Sequence, residues 1–248
     1  MNAVKGNGKK FGIFSLVIGL VFFNIFMAYV WRFTVDDAYI TFRYAKHLAE
    51  GYGLVWNVSE LPIEGYTNFL WVVIIALSHV VKLNPALFTK IVSIFALIGI
   101  VYLYWRIANY AFRDNKTLGY IGFCSGAAFL LANPATAIHV ASGLETMLYA
   151  ASLLCIVFLA YDLSNQADRR SCWLFAITAL ICSLLRPEGG VVSIALFALL
   201  YVTALRKEEL KRNNKYFMLS FMLAYVLPIG IYMIFRICYF HDIFPLPF

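Results

Sequence analysis

The sequence predicts an all-α integral membrane protein of about seven transmembrane helices, with two juxtamembrane helices in its first extracytoplasmic loop. Three observations predict that class. Of 248 residues, 62% are hydrophobic and 13% charged, which is more apolar surface than one soluble core can hide. The apolar residues gather in runs, most of them long enough to cross a bilayer. The basic residues behind the formal charge of +7 fall in short clusters between those runs, as topology signals do. Charge so placed sets orientation among membrane lipids and argues against nucleic acid as a partner.

The first run, 11–31, is 21 residues long and follows Lys5, Lys9 and Lys10. It exceeds a signal-peptide core and no small-residue cleavage site follows it, so it stays as an anchor. Six further runs can span: 86–105, 118–133, 144–161, 172–185, 190–205 and 216–235. The third, fifth and sixth of the seven are shorter than roughly 20 residues, so their ends extend into polar flanks or the bilayer thins there. An eighth candidate, 69–81, has 13 residues and carries His79, which suits an interfacial or re-entrant helix. Sidedness decides the count. With seven spans, one side collects Lys5, Lys9 and Lys10, then Arg106, Arg113 and Lys116, then Arg169 and Arg170, and finally Arg206, Lys207, Lys211, Arg212 and Lys215, which is 13 of 20 basic residues. An eighth span would invert that split. The chain reads as one transmembrane module, residues 1–248, integral to the cytoplasmic (inner) membrane. Its N-terminus is cytoplasmic, its C-terminus extracytoplasmic, and residues 32–85 form one long outer loop.

Loops of that length between spans are usually functional or structured. Within this one, residues 38–50 form an amphipathic helix, with Ile40, Tyr44, Ala45 and Leu48 on one face and Arg43, Lys46, His47 and Glu50 on the other. Asp36 or Asp37 can cap its start and Gly51 can end it. Residues 67–81 make the second juxtamembrane helix, across a connection punctuated by Gly and Pro.

The same topology puts eight of 13 acidic residues outside. Asp36 and Asp37 are the first candidates. A carboxylate there can take a proton from an acceptor hydroxyl, and capping the helix is an equal claim on either one. Arg43, further along the helix, can bind a phosphate bidentately or meet ordinary lipid headgroups. Glu64 and Tyr66 flank Gly65 where the loop re-enters the membrane, and Tyr66 can stack on a sugar or simply sit at the interface. Arg186-Pro187-Glu188 makes an outer turn in which Arg186 faces a phosphate or pairs with Glu188. Glu145 begins a helix, where the dipole favours a carboxylate. Arg236 closes the chain on the same side. No metal site is evident, since two adjacent carboxylates are too few to specify one, and a divalent cation is left open. The five cysteines lie in or at the ends of apolar runs without ligand spacing, so they read as small core fillers.

Three segments of the outer loop carry a resemblance: Asp36-Asp37-Ala38-Tyr39-Ile40-Thr41-Phe42-Arg43-Tyr44-Ala45, Gly53-Leu54-Val55-Trp56-Asn57 and Glu64-Gly65-Tyr66-Thr67-Asn68-Phe69-Leu70-Trp71. Gly143-Leu144-Glu145-Thr146 and Arg186-Pro187-Glu188-Gly189 follow in order. Together they resemble the polytopic GT-C glycosyltransferases, closest to the mycobacterial-type terminal arabinofuranosyltransferases. The resemblance implies a seven-span module, a polyprenyl-phosphate sugar donor, a cell-envelope glycan or lipid acceptor, and a loop aspartate as general base. It shifts Asp36 and Asp37 towards catalysis and Arg43 and Arg186 towards the donor phosphate. Glu64, Tyr66, Glu145, Glu188 and Arg236 become substrate-binding candidates. That group continues past a motif that begins here at Arg236 and stops at Phe248, so a fragment, a minimal form needing a partner and an inactive remnant all stay open. A transporter or flippase for a lipid-linked substrate and a non-catalytic membrane subunit are the competing classes. Against transport, the charges gather on one face and no inverted repeat is apparent.

Overall fold

The computed structural model describes residues 2–165, 168–206 and 214–242, and among them all regular structure is helical. Lys207, Lys211 and Arg212 of the last basic cluster, residues 243–248 of the C-terminal motif, and the side chains of Lys5 and Arg206 lie outside the described residues. In chain order the helices are α1 (Asn2–Val30), α2 (Asp36–Ala49), α3 (Phe69–Val80), α4 (Pro85–Ala111), α5 (Lys116–Ala132), α6 (Pro134–Ala141), α7 (Thr146–Asn165), α8 (Arg169–Leu185), α9 (Pro187–Arg206), α10 (Asn214–Phe221) and α11 (Leu227–Phe240). A π-helical turn, Met222–Val226, joins the last two.

Four stretches are long and apolar enough to cross a membrane: Gly8–Val30, Pro85–Ala111, Thr146–Asn165 and Lys215–Phe240. The bent pair α5–α6 makes a fifth if it is one span. The fold fits a multi-pass all-α membrane protein with four or five long apolar helices, fewer than the seven read from the sequence. The shortfall has local causes. The expected span 118–133 ends at Asn133-Pro134, where Pro134 cannot continue the ladder and the Asn133 side chain accepts from the Ala135 amide at 3.0 Å. The chain restarts as α6 at 63° to α5. The expected spans 172–185 and 190–205 become α8, 17 residues or about 25 Å long, and α9, whose apolar part is Pro187–Thr203. Helix α3, with 12 residues, is far too short to cross, as its sequence indicates.

The chain divides into two compact units, Met1–Ala38 with Ala86–Ala151, and Tyr39–Pro85 with Ser152–Phe248. In the first unit α1 packs along α5, and the interface is made by small residues. A Cβ placed on Gly19 would lie 2.7 Å from the Ala128 Cα, and one on Gly12 would press on Cys124 at 3.2 Å. Helices associate in lipid largely through such close backbone approach, because lipid is as apolar as the side chains. The rest of α1 turns Phe11, Phe14, Val17 and Val21 outward.

In the second unit α8 packs against α3, α9 and α10. Asp168 caps α8, its carboxylate accepting from the Arg170 and Ser171 amides at 3.1 and 3.3 Å. Hydrogen bonds from Ser171, side chain and backbone, and from the Arg170 amide hold that carboxyl below its usual range. An aromatic core of Phe175, Phe197, Phe217 and Phe221 fills the space between these helices, with Phe197 stacked on Phe221 at 3.8 Å. The π-helical turn precedes Pro228, which has no amide to give the Ala224 carbonyl and whose ring crowds it, so the ladder widens. Within that turn the Tyr225 hydroxyl reaches Ser183 on α8 at 3.2 Å.

Replacing Gly19 by leucine should destabilise the first unit by about 1–3 kcal/mol, since the clash is with backbone and the helices must part. The same change at Gly99 on α4, where an added Cβ meets nothing within 4 Å, should be nearly neutral. Thermal unfolding of both variants in detergent measures the difference.

Candidate functional site

The first unit presents Asp36 and Asp37. Three residues precede them, and each is held. The Phe33 amide donates to the Val30 carbonyl at 2.8 Å, closing a turn off the end of α1. The Lys90 ammonium, on the second turn of α4, donates to the Phe33 carbonyl at 3.0 Å and the Thr34 hydroxyl at 3.1 Å. The Val35 amide donates to the Ser142 carbonyl at 3.0 Å. Both aspartates then lie inside the first turn of α2 rather than before it, a correction to the expected cap position. The Asp36 carboxylate accepts from the Asp37 amide at 3.1 Å, satisfying one of the donors that a helix start leaves without a partner. The Asp37 carboxylate is exposed and makes no hydrogen bond or ion pair among the described residues. Glu145, on the same unit, is only 4% exposed and precedes α7, following the left-handed Gly143 at φ +88°.

The second unit holds the rest of α2 and the loop after it. Helix α2 buries Ala38, Thr41, Phe42, Tyr44 and Ala45, while Ile40, expected on the buried face, is exposed. The buried stripe takes in Thr41 and Phe42 in its place. Gly51, at φ +85°, ends the helix as expected: its amide bonds the Leu48 carbonyl and the Tyr52 amide bonds the His47 carbonyl, a Schellman closure. Arg43 turns to the loop. Its Nε donates to the Trp56 carbonyl at 2.8 Å, its Nη2 to the Asn57 side chain, and its guanidinium lies 4.2 Å over the Trp56 ring. Two of the bonds a bidentate phosphate contact would use are thereby engaged within the loop.

Tyr44 is fully buried and spans the loop base, its hydroxyl donating to the Ile63 carbonyl at 2.7 Å and accepting from the Gly65 amide at 3.0 Å. Burial pushes its phenol above the usual value, so it remains the neutral group that both bonds require. A Cβ on Gly65 would lie 2.9 Å from that hydroxyl, which is why the residue between Glu64 and Tyr66 has none. Glu64 itself is 5% exposed and pairs with Arg236 of α11, which is 8% exposed. Nε donates to both carboxylate oxygens at 3.1 and 2.9 Å and Nη2 to Oε2 at 2.7 Å. The Tyr232 ring lies 5.8 Å from the guanidinium. Two residues read as substrate contacts are thus each other's partner across 172 positions of sequence.

Tyr66 is enclosed, edge-on to Tyr44 at 4.8 Å and to Phe240 at 6.4 Å, and its hydroxyl has no hydrogen-bond partner among the described residues. Burial raises its phenol far above the usual value. A second tie to α11 comes at Gly53, φ +84°, where the Leu54 amide donates to the Tyr239 hydroxyl at 3.1 Å and an added Cβ would meet that oxygen at 2.5 Å. Arg186 ends α8 with extended backbone, half-buried, and its amide bonds the Cys182 carbonyl. Glu188 is exposed and forms no ion pair among the described residues, so the expected local Arg186–Glu188 pair does not form. Gly189 lets α9 begin hard against α8, its would-be Cβ lying 2.2 Å from the Cys182 carbonyl oxygen. Among the described residues no group of three His, Cys, Asp or Glu side chains could hold a metal ion.

Lys90 escaped the sequence reading, and so did the hydrogen-bonding roles of Tyr44 and Tyr239. Lys90 sits in a run read as membrane span, where an intramembrane cation is a signal in itself. The two tyrosines carry no such mark, since a tyrosine at helical spacing reads as apolar. Comparison with protein-family models, curated proteins and solved structures finds no match to this chain.

Removing one member of the buried pair strands the other. Glu64→Ala and Arg236→Met should each cost about 3–5 kcal/mol, and the Glu64→Leu/Arg236→Met double variant clearly less than the sum. Unfolding of the single and double variants in detergent closes that cycle.

Proposed function

We propose that this chain is a membrane glycosyltransferase of GT-C type, transferring a sugar from a polyprenyl-phosphate donor to a cell-envelope glycan or lipid on the extracytoplasmic face. The observation that carries it is the pair Asp36-Asp37. Its motif resembles the first outer loop of that group, and here one carboxylate is committed to the helix start while the other is exposed and uncommitted. In the reaction the acceptor hydroxyl oxygen attacks the anomeric carbon. The bond from that carbon to the phosphate oxygen breaks, polyprenyl phosphate leaves with the electron pair, and the acceptor proton passes to the Asp37 carboxylate. Asp36 holds the first turn of α2 and so the position of its neighbour.

The donor phosphate needs cations. Arg186, at the chain reversal between α8 and α9, and Arg43, which also serves the loop, are the proposed contacts. Glu145 and Glu188 remain proposed substrate contacts, and Glu64, Tyr66 and Arg236 act by shaping the loop. A divalent cation stays outside the scheme. The proposed topology keeps seven crossings, α8 and α9 forming a short hairpin of two, with the N-terminus cytoplasmic in the inner membrane. It rests on the 13 basic residues that this count gathers on one side.

The Asp37→Ala variant, reconstituted with a polyprenyl-phosphate sugar and an envelope acceptor, should lose transfer by at least about 100-fold while its melting temperature stays near that of the unaltered protein. Asp36→Ala should lose both activity and some stability, by about 1 kcal/mol. Undiminished transfer in the double alanine variant contradicts the mechanism.

A further inference from the structure

Lys90 stands apart from every residue used so far. It is 4% exposed, it lies on a helix long and apolar enough to cross a membrane, and it has no carboxylate partner among the described residues. A buried ammonium without a counter-ion is expensive, and such a group is kept where it does something an apolar side chain cannot. What it does is visible in its two bonds, to the Phe33 carbonyl and to the Thr34 hydroxyl. Phe33 and Thr34 belong to the short segment between α1 and α2 that ends at Asp36. The bond from the Val35 amide to the Ser142 carbonyl, on the far side of Thr34, fixes the same segment.

We infer that Lys90 is a positioning residue for Asp36 and Asp37: its ammonium locks the chain ahead of α2 and thereby sets where the first turn begins and where the Asp37 carboxylate points. The inference rests on the proposed transferase reading for its effect on activity, but not for its effect on the backbone. Methionine at this site keeps the stem and removes all three donors. Valine at Thr34 removes one acceptor and leaves the lysine in place.

Amide hydrogen exchange over residues 33–38 is the deciding measurement, made on the full chain in detergent. In Lys90→Met, exchange there should rise about tenfold or more while exchange along α4 stays unchanged. Thr34→Val should show a smaller rise, and adding it to Lys90→Met should change little further, because both act through one contact. With a polyprenyl-phosphate sugar, Lys90→Met should lower kcat about tenfold with KM for the donor within about twofold, the pattern of a misplaced base rather than a lost ligand contact. Unchanged exchange over 33–38 in both variants overturns the inference. A raised donor KM at unchanged kcat also overturns it, in favour of direct contact with the donor phosphate. If the unaltered protein transfers no sugar, the transferase reading fails, and the exchange data still decide the role of Lys90. If Lys90→Met does not fold, exchange in Thr34→Val decides it alone.

Discussion

The ion pair between Glu64 and Arg236 is the constraint on which the loop between α2 and α3 depends. A carboxylate and a guanidinium, each less than a tenth exposed, are affordable together only because three hydrogen bonds join them in near-bidentate geometry. Either one alone would be a stranded charge. The pair therefore acts as a register device: α11 and the loop end must meet at this place or not at all. Once they meet, Tyr239 can reach the Leu54 amide, Phe240 can close over Tyr66, and Phe69 can lie 4.7 Å from Tyr232.

From that anchor the loop is built inward by side chains that satisfy its backbone. A segment with little regular structure has no ladder, so its amides and carbonyls need other partners. Tyr44 supplies an acceptor to Gly65 and a donor to Ile63, Arg43 a donor to Trp56, His47 a ring nitrogen 2.9 Å from the Val55 carbonyl, and Tyr239 an acceptor to Leu54. Three of those four come from α2, spaced one turn or less apart: Tyr44 buried, His47 half-buried and Arg43 exposed. The glycines at 53 and 65 are the places where the serving hydroxyl comes closest to the chain.

Much of this was legible in the sequence, and what was not has definable causes. Composition gave the helical membrane class. The hydrophobic period gave α2 and its Gly51 terminus, and length kept α3 from being a span. The number of long apolar helices falls short of seven where the runs themselves are short: α5 stops at Asn133-Pro134 after 17 residues, and α8 also has 17. At the site, residue types were found but not their pairing. Glu64 and Arg236 both looked like ligand contacts because nothing in a sequence tells that two charges 172 residues apart satisfy each other. Lys90 was missed for the opposite reason, one cation being absorbed in a long apolar average.

The decisive question is whether a sugar–phosphate bond is broken at all. Vesicles carrying the purified chain, supplied with an envelope acceptor and a polyprenyl-phosphate sugar labelled separately in its sugar and its lipid, answer it by separation of the products. A transferase yields labelled sugar on the acceptor and an equal amount of free polyprenyl phosphate. Intact donor recovered from the opposite leaflet, with no free polyprenyl phosphate, would contradict the transferase and make the chain a carrier of lipid-linked sugar.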